Sequence, residues 1–212
     1  MQNEIEIKLN LLDKNNYNKL LKQFKDNLKE IRQENYFFDT KDWDLSLAGW
    51  TLRIRKENLS TSITAKGANT ATQNGLAIRP EITSLLSPTE AERLFNDGIT
   101  ISSLPRSIID ALPNCPREKP LIKRVYFLNH RIIAGDIING IPLCFEIDNM
   151  EYSDGSLEYE LEVELSDKKD YLEVMAGIES IFKACGIPVV FQKESKFARA
   201  LRKGGLKGKG NL

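Results

Sequence analysis

The stretch Glu158-Tyr159-Glu160-Leu161-Glu162-Val163-Glu164-Leu165 sets four carboxylates on one face of a strand and four apolar side chains on the other. A strand of that kind cannot be buried on both faces. The same alternation recurs in Glu4-Ile5-Glu6-Ile7-Lys8, in Thr51 to Arg55, in Ser62 to Lys66, in Ala77 to Glu81 and in Leu143 to Asp148. Taken singly, each is an ordinary half-buried antiparallel strand with its charges in water. Taken together, six or more such strands must bury their apolar faces against amphipathic helices, and their charged faces must meet water or each other. A sheet that curls into a barrel with helices packed outside satisfies both demands and leaves a charged, solvated lumen. The fold class read from the pattern is therefore α+β, a β-barrel covered by amphipathic helices.

The remaining elements follow from local chemistry. Asp13 caps a helix whose apolar residues Tyr17, Leu20, Leu21, Phe24 and Leu28 form one stripe. Tyr36 to Thr40 reads as a strand, and Leu47-Ala48-Gly49 as a turn. Ser87-Pro88-Thr89-Glu90 opens a helix with a capping box, and Leu104 to Leu112 forms another helix before Pro113. Asn114 to Pro120 is a loop within one domain, since charged-face strands resume beyond it. Ile122 to Phe127 is a strand with Arg124 and Tyr126 on one face, and His130 falls in a turn on the surface. Asn139-Gly140 predicts a tight hairpin that aligns Ala134 to Ile138 with Leu143 to Asp148. A helix from about Asp167 to Cys185 ends at Gly186, and a last one spans Ser195 to Arg202. Pro80 lacks a ladder donor and implies an edge or bulge. One domain over residues 1–203 is expected, followed by a flexible tail at 204–212.

Lys plus Arg and Asp plus Glu both total 30, so no global field favours nucleic acid or an anionic membrane. Function must come from local segregation of charge. Cys115, Cys144 and Cys185 form no CxxC pair and read as reduced packing residues of an intracellular, cytoplasmic protein. No apolar run approaches the roughly 20 residues of a membrane span, and the start lacks the features of a secretory leader.

A lumen built from these strands gathers Glu4, Glu6, Glu81, Glu146, Asp148, Glu160 and Glu162 with Lys8, Arg53, Arg55, Lys66, Arg79 and Arg124. Converging carboxylates raise one another's pKa unless a cation neutralises them, and hard divalent metals take oxygen ligands. The basic set calls for a polyanion, with arginines suited to phosphate oxygens. Phosphoryl transfer needs positioning and charge neutralisation more than covalent chemistry, and no Ser, His or Cys nucleophile is evident. Tyr36 is a candidate for positioning water and equally a core tyrosine; Glu158 and Glu164, at their strand's ends, read as solvated.

These residues resemble the CYTH domain, the family of triphosphate tunnel metalloenzymes. Glu4-Ile5-Glu6-Ile7-Lys8 matches the family's ExExK signature. Leu52 to Arg55, Thr64 to Gly67, Arg79-Pro80-Glu81, Arg124, Glu146 to Asp148, Glu160 to Glu162 and Ser195 to Arg199 follow in the family's order. Pro80 inside the Arg-x-Glu strand, and Glu194 before Ser195-Lys196, depart from that pattern. The resemblance implies an eight-stranded antiparallel tunnel that binds a small-molecule triphosphate with Mg²⁺ or Mn²⁺, in a monomer or homodimer. Glu4, Glu6, Asp148, Glu160 and Glu162 look like metal ligands. Lys8, Arg53, Arg55, Lys66, Arg79, Arg124 and Lys196 resemble the phosphate clamp, and Glu4, Glu6, Lys8, Lys66 and Glu81 the catalytic set. Hydrolysis of inorganic triphosphate, or of a small organic one such as thiamine triphosphate, is the leading expectation. An adenylate cyclase of the CYTH type, or a noncatalytic polyphosphate or nucleotide binding module, would use the same clamp.

Overall fold

The computed structural model describes residues 2–24, 28–112 and 114–204. The expected tail lies outside these from residue 205 on, as do Met1, residues 25–27 and Pro113. The chain runs β1 (Gln2–Asn10), α1 (Lys14–Gln23), β2 (Lys29–Thr40), α2 (Asp44–Leu47), β3 (Thr51–Glu57), β4 (Ser60–Lys66), β5 (Ala71–Gln73) and β6 (Leu76–Leu86). It continues through α3 (Pro88–Asn96), β7 (Ile99–Thr100), α4 (Arg106–Ala111), β8 (Pro120–Ile138), β9 (Ile141–Tyr152), β10 (Leu157–Glu164), α5 (Tyr171–Cys185) and α6 (Lys196–Arg202).

Eight strands form the barrel in the order β1-β10-β9-β8-β2-β3-β4-β6, and β6 pairs back with β1 to close it. Every pairing is antiparallel, as expected for a meander whose faces alternate apolar and charged. Closure requires that β1 serve two partners: residues 2–7 pair with β6 and residues 6–10 with β10. The β8–β9 hairpin turns at Asn139 and Gly140 with φ of 50° and 85°, the left-handed geometry that the Asn-Gly pair was expected to supply. Pro80 interrupts nothing. It lies in β6 opposite the break between β4, which ends at Lys66, and β5, which begins at Ala71, so no β4 carbonyl awaits its missing N–H.

The outward faces of the strands carry the core. Leu9, Phe145, Leu161 and Val163 pack beneath α1 and α5 against Leu20, Ile178 and Phe182. Leu52, Ile54 and Ile63 pack beneath α3 and α4 against Leu94 and Ile108. A third cluster belongs to the lumen: Phe37, Val125, Phe127, Met150 and Tyr152 meet Ala200 of α6, with Phe197 and Leu201 alongside. The last helix thus closes one end of the barrel with an apolar face.

Several expectations change in detail. The α1 stripe ends early: Asp13 accepts from the Asn16 amide at 2.9 Å as predicted, but the helix stops at Gln23 and Leu28 is exposed. Leu47 closes the short α2 rather than opening a turn, although Gly49 does take a positive φ of 79°. The helix expected from Leu104 begins at Arg106, after a 3-10 turn at Ile101–Ser103. His130 is not in a turn. It sits mid-way along the 19-residue β8, on the outer face, with Nε2 2.7 Å from Glu30 Oε1.

One close approach tests how tightly α5 seats. A Cβ on Gly177 would fall 2.4 Å from Cγ2 of Ile138. Alanine in a helix interior is favoured over glycine by about 1 kcal/mol, whereas overpacking costs about 1–3 kcal/mol. Gly177→Ala is expected to lower the melting temperature by roughly 2–6 °C; an unchanged or higher value would mean that Ile138 moves aside freely.

Candidate active site

Alternate residues of the eight strands point into the lumen, and a chamber of about 140 Å³ lies there. β1 contributes Glu4, Glu6 and Lys8, β3 contributes Arg53 and Arg55, β4 contributes Lys66 and β6 contributes Arg79 and Glu81. Arg131 of β8, Glu146 of β9, Glu162 and Glu164 of β10 and Lys196 at the start of α6 complete the charged lining. Ser195 caps α6 by accepting from the Ala198 amide at 3.1 Å, which fixes the helix's first turn and places Lys196 at the chamber.

The ion pairs divide the chamber. Lys66 bridges Glu4 at 2.7 Å and Glu81 at 2.5 Å, while Arg79 binds Glu4 at 2.8 Å and Glu6 at 3.0 Å. Lys8 spans the β1–β10 seam between Glu6, at 2.9 Å, and Glu162. Burial alone would raise the Glu4 pKa, but Lys66 and Arg79 hold it well below the usual carboxylate range. Burial likewise opposes charge on Lys8, and Glu162, Glu6 and Glu160 outweigh it, so the ammonium is firmly protonated.

Arg53 and Arg55 differ from the other cations. Among the described residues neither makes an ion pair; Arg55 Nε donates to Asn35 Oδ1 at 3.0 Å, and Arg53 reaches only Thr64 Oγ1 at 3.5 Å. Buried Arg53 Nε has no hydrogen-bond partner among the described residues. Burial, with Arg131 and Arg79 nearby, weakens the hold of Arg53 on its proton despite Glu81 and Glu4. Burial and then Arg53 and Arg131 press on Arg55 in the same direction. Both guanidiniums stay charged at physiological pH and lack a counter-charge.

Across the barrel the balance reverses. β10 stands four places from β3 in the closed eight-strand order, and so faces it. At the exposed rim, partial burial and then Glu146, Glu4 and Glu6 push the Glu164 carboxyl up to about 7. Burial also raises Glu146, although Arg131 pairs with it. Glu160 is fully buried and pushed up to about 7 by that burial and by Glu162, and its Oε1 has no hydrogen-bond partner among the described residues. Surplus carboxylate oxygen of this kind fits a hard divalent cation. Among the described residues, no three acidic, His or Cys side chains already converge as a ligand set. A cation would therefore share its coordination with oxygens of a ligand.

The structure brings all but one of the expected charged residues into or against the chamber. Asp148 and Glu160 lie behind its lining: Asp148 accepts two bonds from Arg131 at 2.7 Å and pairs with Lys196 at 2.6 Å, while Glu160 pairs with Arg199. Arg124, expected in the clamp, is directed elsewhere. The β2–β8 register shifts so that Phe37 faces Val125 and Phe38 faces Lys123, which leaves Arg124 as the extra residue of a bulge. Its guanidinium donates to the Thr40 and Lys41 carbonyls at 2.6 Å each and stacks 3.8 Å above Trp43. Tyr36 also faces outward, bonded to Glu34 and packed on Phe95 and Tyr126. Glu158 binds Arg199 at 3.0 Å and Lys203 at 2.7 Å and so anchors α6. Glu164, read as solvated, lines the chamber from its exposed rim.

Sequence reasoning missed Arg131. It is 5% exposed, lines the chamber and binds Glu146, Asp148 and Glu162 together. The signal was available: carrying the alternation of Val125 and Phe127 through Asn129 places Arg131 inward, but Asn129-His130 resembled a turn.

The CYTH domain profile matches residues 2–199. The chain belongs to the CYTH domain family. Among solved CYTH-like structures, HpAC1 from Hippeastrum superposes with a TM-score of 0.81 at 27% identity, covering 96% of this chain and 97% of that one. That protein was studied as an adenylyl cyclase and has a dominant triphosphatase activity. A candidate adenylate cyclase from Bacillus halodurans gives a TM-score of 0.68 at 26% identity, with coverage of 94% and 98%. PH1819 from Pyrococcus horikoshii, at 17% identity and a TM-score of 0.61 over 93% and 99% of the chains, shares the fold. No curated protein gives a match. No helix among the described residues is long and apolar enough to cross a membrane.

The crowding of carboxylates around Glu164 in this CYTH chamber has a pH signature. An acid whose pKa rises on folding stabilises the fold when protonated, so the contribution of Glu164 is present below its ordinary value of 4.5 and lost as pH rises through about 7. Glu164→Gln removes that loss. Its melting temperature relative to the parent is expected to rise between pH 5 and pH 8; a pH-independent difference would show that Glu164 titrates normally.

Proposed function

We propose that the chain is a divalent-metal-dependent triphosphatase acting on inorganic triphosphate or a small organic triphosphate. One observation carries this reading: Arg53 and Arg55 line the chamber half-buried and without a carboxylate partner among the described residues, while on the facing wall Glu164 has no ion-pair partner among the described residues and Glu146 has only Arg131. A polyanion bound with a divalent cation corrects both imbalances at once. Hydrolase relatives among CYTH proteins are represented by the dominant triphosphatase activity of HpAC1. The chamber, at about 140 Å³, is also small beside the roughly 300–1,000 Å³ of pockets that enclose a drug-sized ligand, which favours a bare phosphate chain there.

In this reading Arg53 and Arg55 grip phosphate oxygens bidentately, and Arg79, Lys8 and Lys196 complete the clamp as the substrate takes over some of their present carboxylate contacts. Arg131 joins them from β8. Glu4, Glu6 and Glu162, with Glu160 and Asp148 behind them, would hold Mg²⁺ or Mn²⁺. The metal supplies Lewis-acid neutralisation of phosphate oxygens and makes an attacking water more acidic. Lys66 balances charge on the departing phosphate, and Glu81, its partner at 2.5 Å, orients the water.

Product analysis tests the reading. Inorganic triphosphate, thiamine triphosphate and ATP are offered in parallel with Mg²⁺ and with Mn²⁺, and orthophosphate and cyclic AMP are assayed. Orthophosphate without cyclic AMP is expected. Cyclic AMP with pyrophosphate would replace the hydrolase by a cyclase, and binding without either product would leave a noncatalytic module.

Two substitutions probe the residues. Arg53→Ala is expected to lower kcat/KM by about 100-fold, because each preorganised charge in a water-poor site contributes roughly 3 kcal/mol. Glu6→Ala should weaken metal-dependent turnover, and full activity in that variant would remove Glu6 from the site.

A further inference from the structure

A second cavity, of about 430 Å³, adjoins the chamber and shares Lys8, Arg79 and Ser195 with it. Its remaining lining differs in kind. Asn69, Asn74 and Gln192 supply amides, and Phe191 supplies an aromatic ring. Lys193 and Glu194 cancel in charge. We propose that this vestibule is the subsite for the organic end of a triphosphate ester, and that the end it accepts is a flat, uncharged heterocycle joined to the phosphates held in the chamber. The inference rests on the triphosphate reading above.

The construction of the vestibule supports a built subsite. Residues 190–192 are zipped onto the end of β1: the Asn10 amide donates to the Val190 carbonyl at 2.8 Å, and the Gln192 amide donates to the Lys8 carbonyl at 3.0 Å. Along the same edge of β1 the Lys8 amide donates to the Gly75 carbonyl at 2.9 Å. The Phe191 ring lies directly on Gly75, where an added Cβ would stand 2.4 Å from Cδ1, and Gly75 takes a φ of 77°. Any side chain at 75 would displace the ring. The ring is therefore held beside the backbone of the residue whose ammonium reaches the chamber.

The other approach is unsuited to the role. A cavity at the opposite side is lined by Glu4, Glu81 and Glu164 with Thr83, Gln2 and Asn3, and Glu164 is the least neutralised of these carboxylates. A phosphate chain growing that way meets like charge. The amide-and-aromatic side offers what a heterocycle uses, an aromatic ring to lie against and amides that both donate and accept. At about 430 Å³ it is also large enough for such a group, which the chamber is not.

The test compares ATP with inorganic triphosphate on the full chain, so that the phosphate contacts are common to both. In Gln192→Ala and in Phe191→Leu, the ratio of kcat/KM for ATP to kcat/KM for inorganic triphosphate is expected to fall about three- to tenfold. An unchanged ratio in both variants would overturn the subsite. Amide hydrogen exchange on the parent chain guards against a variant that folds poorly. ATP should protect residues 74–77 and 191–193 more than inorganic triphosphate does, and equal protection would overturn the proposal. Failure of the parent chain to bind or turn over any of inorganic triphosphate, thiamine triphosphate and ATP would instead overturn the triphosphate reading itself, and this inference with it.

Discussion

The structure depends on charge neutralisation inside a closed sheet. Thirteen or more ionic side chains placed in a protein interior would each carry a desolvation penalty of several kcal/mol if left alone. Here they are arranged so that most cations serve two carboxylates at once: Lys66 between Glu4 and Glu81, Arg79 between Glu4 and Glu6, Lys8 between Glu6 and Glu162. These bridges cross strand boundaries. Glu4 with Arg79 and Lys8 with Glu162 are also register partners in the two pairings that close the barrel at β1. The interior charges and the closure of the sheet are thus one constraint, and each would be unstable without the other.

Neutralisation is incomplete in a patterned way. The β3 wall holds two guanidiniums without an ion-pair partner among the described residues, and the β9–β10 wall holds Glu146, Glu160 and Glu164, whose carboxyls are pushed up, beside Asp148 and Glu162, whose carboxyls are held down. Structural ion-pair networks shift pKa values too, but they shift both partners toward the charged form. In the proposed function, an interior in which both walls carry such groups takes up counter-charges from outside. The chemistry of phosphates and a divalent cation fits that vacancy of charge, and the neighbouring amide-lined space extends the same logic to an uncharged substituent.

Much of this was legible in the sequence. Period-two alternation of charge in Glu4 to Lys8, Arg53 to Arg55 and Glu160 to Glu162 determines which face is inward, because a one-residue slip would bury the charges in the outer core. Asn139-Gly140 determined the longest hairpin, and Ser87 to Glu90 the start of α3. What escaped was information carried by other strands. The bulge that turns Arg124 out depends on the pairing of β8 with β2, and is invisible in β8 alone. The continuity of β8 through His130 depends on β2 and β9 flanking it on both sides, which overrides the local turn preference of Asn129. The α6 helix was legible as a helix, but its place at the barrel's end depends on Arg199 reaching Glu160 and on Phe37 and Phe127 lining that end with apolar surface.

The two partners of β1 also set a timetable for synthesis. Lys8 leaves the ribosome 154 residues before Glu162, to which it is bonded in the finished sheet. β6 is complete at Leu86, so at about 5–20 residues per second roughly 4–15 s pass before Glu162 is made, in which β1 can pair with β6 but still presents a bare edge where β10 will dock. During that interval the nascent chain carries an open sheet with unsatisfied acids and bases along one border. The alternating charges that later line the chamber would, in the half-made protein, keep that border hydrated and discourage its pairing with another chain.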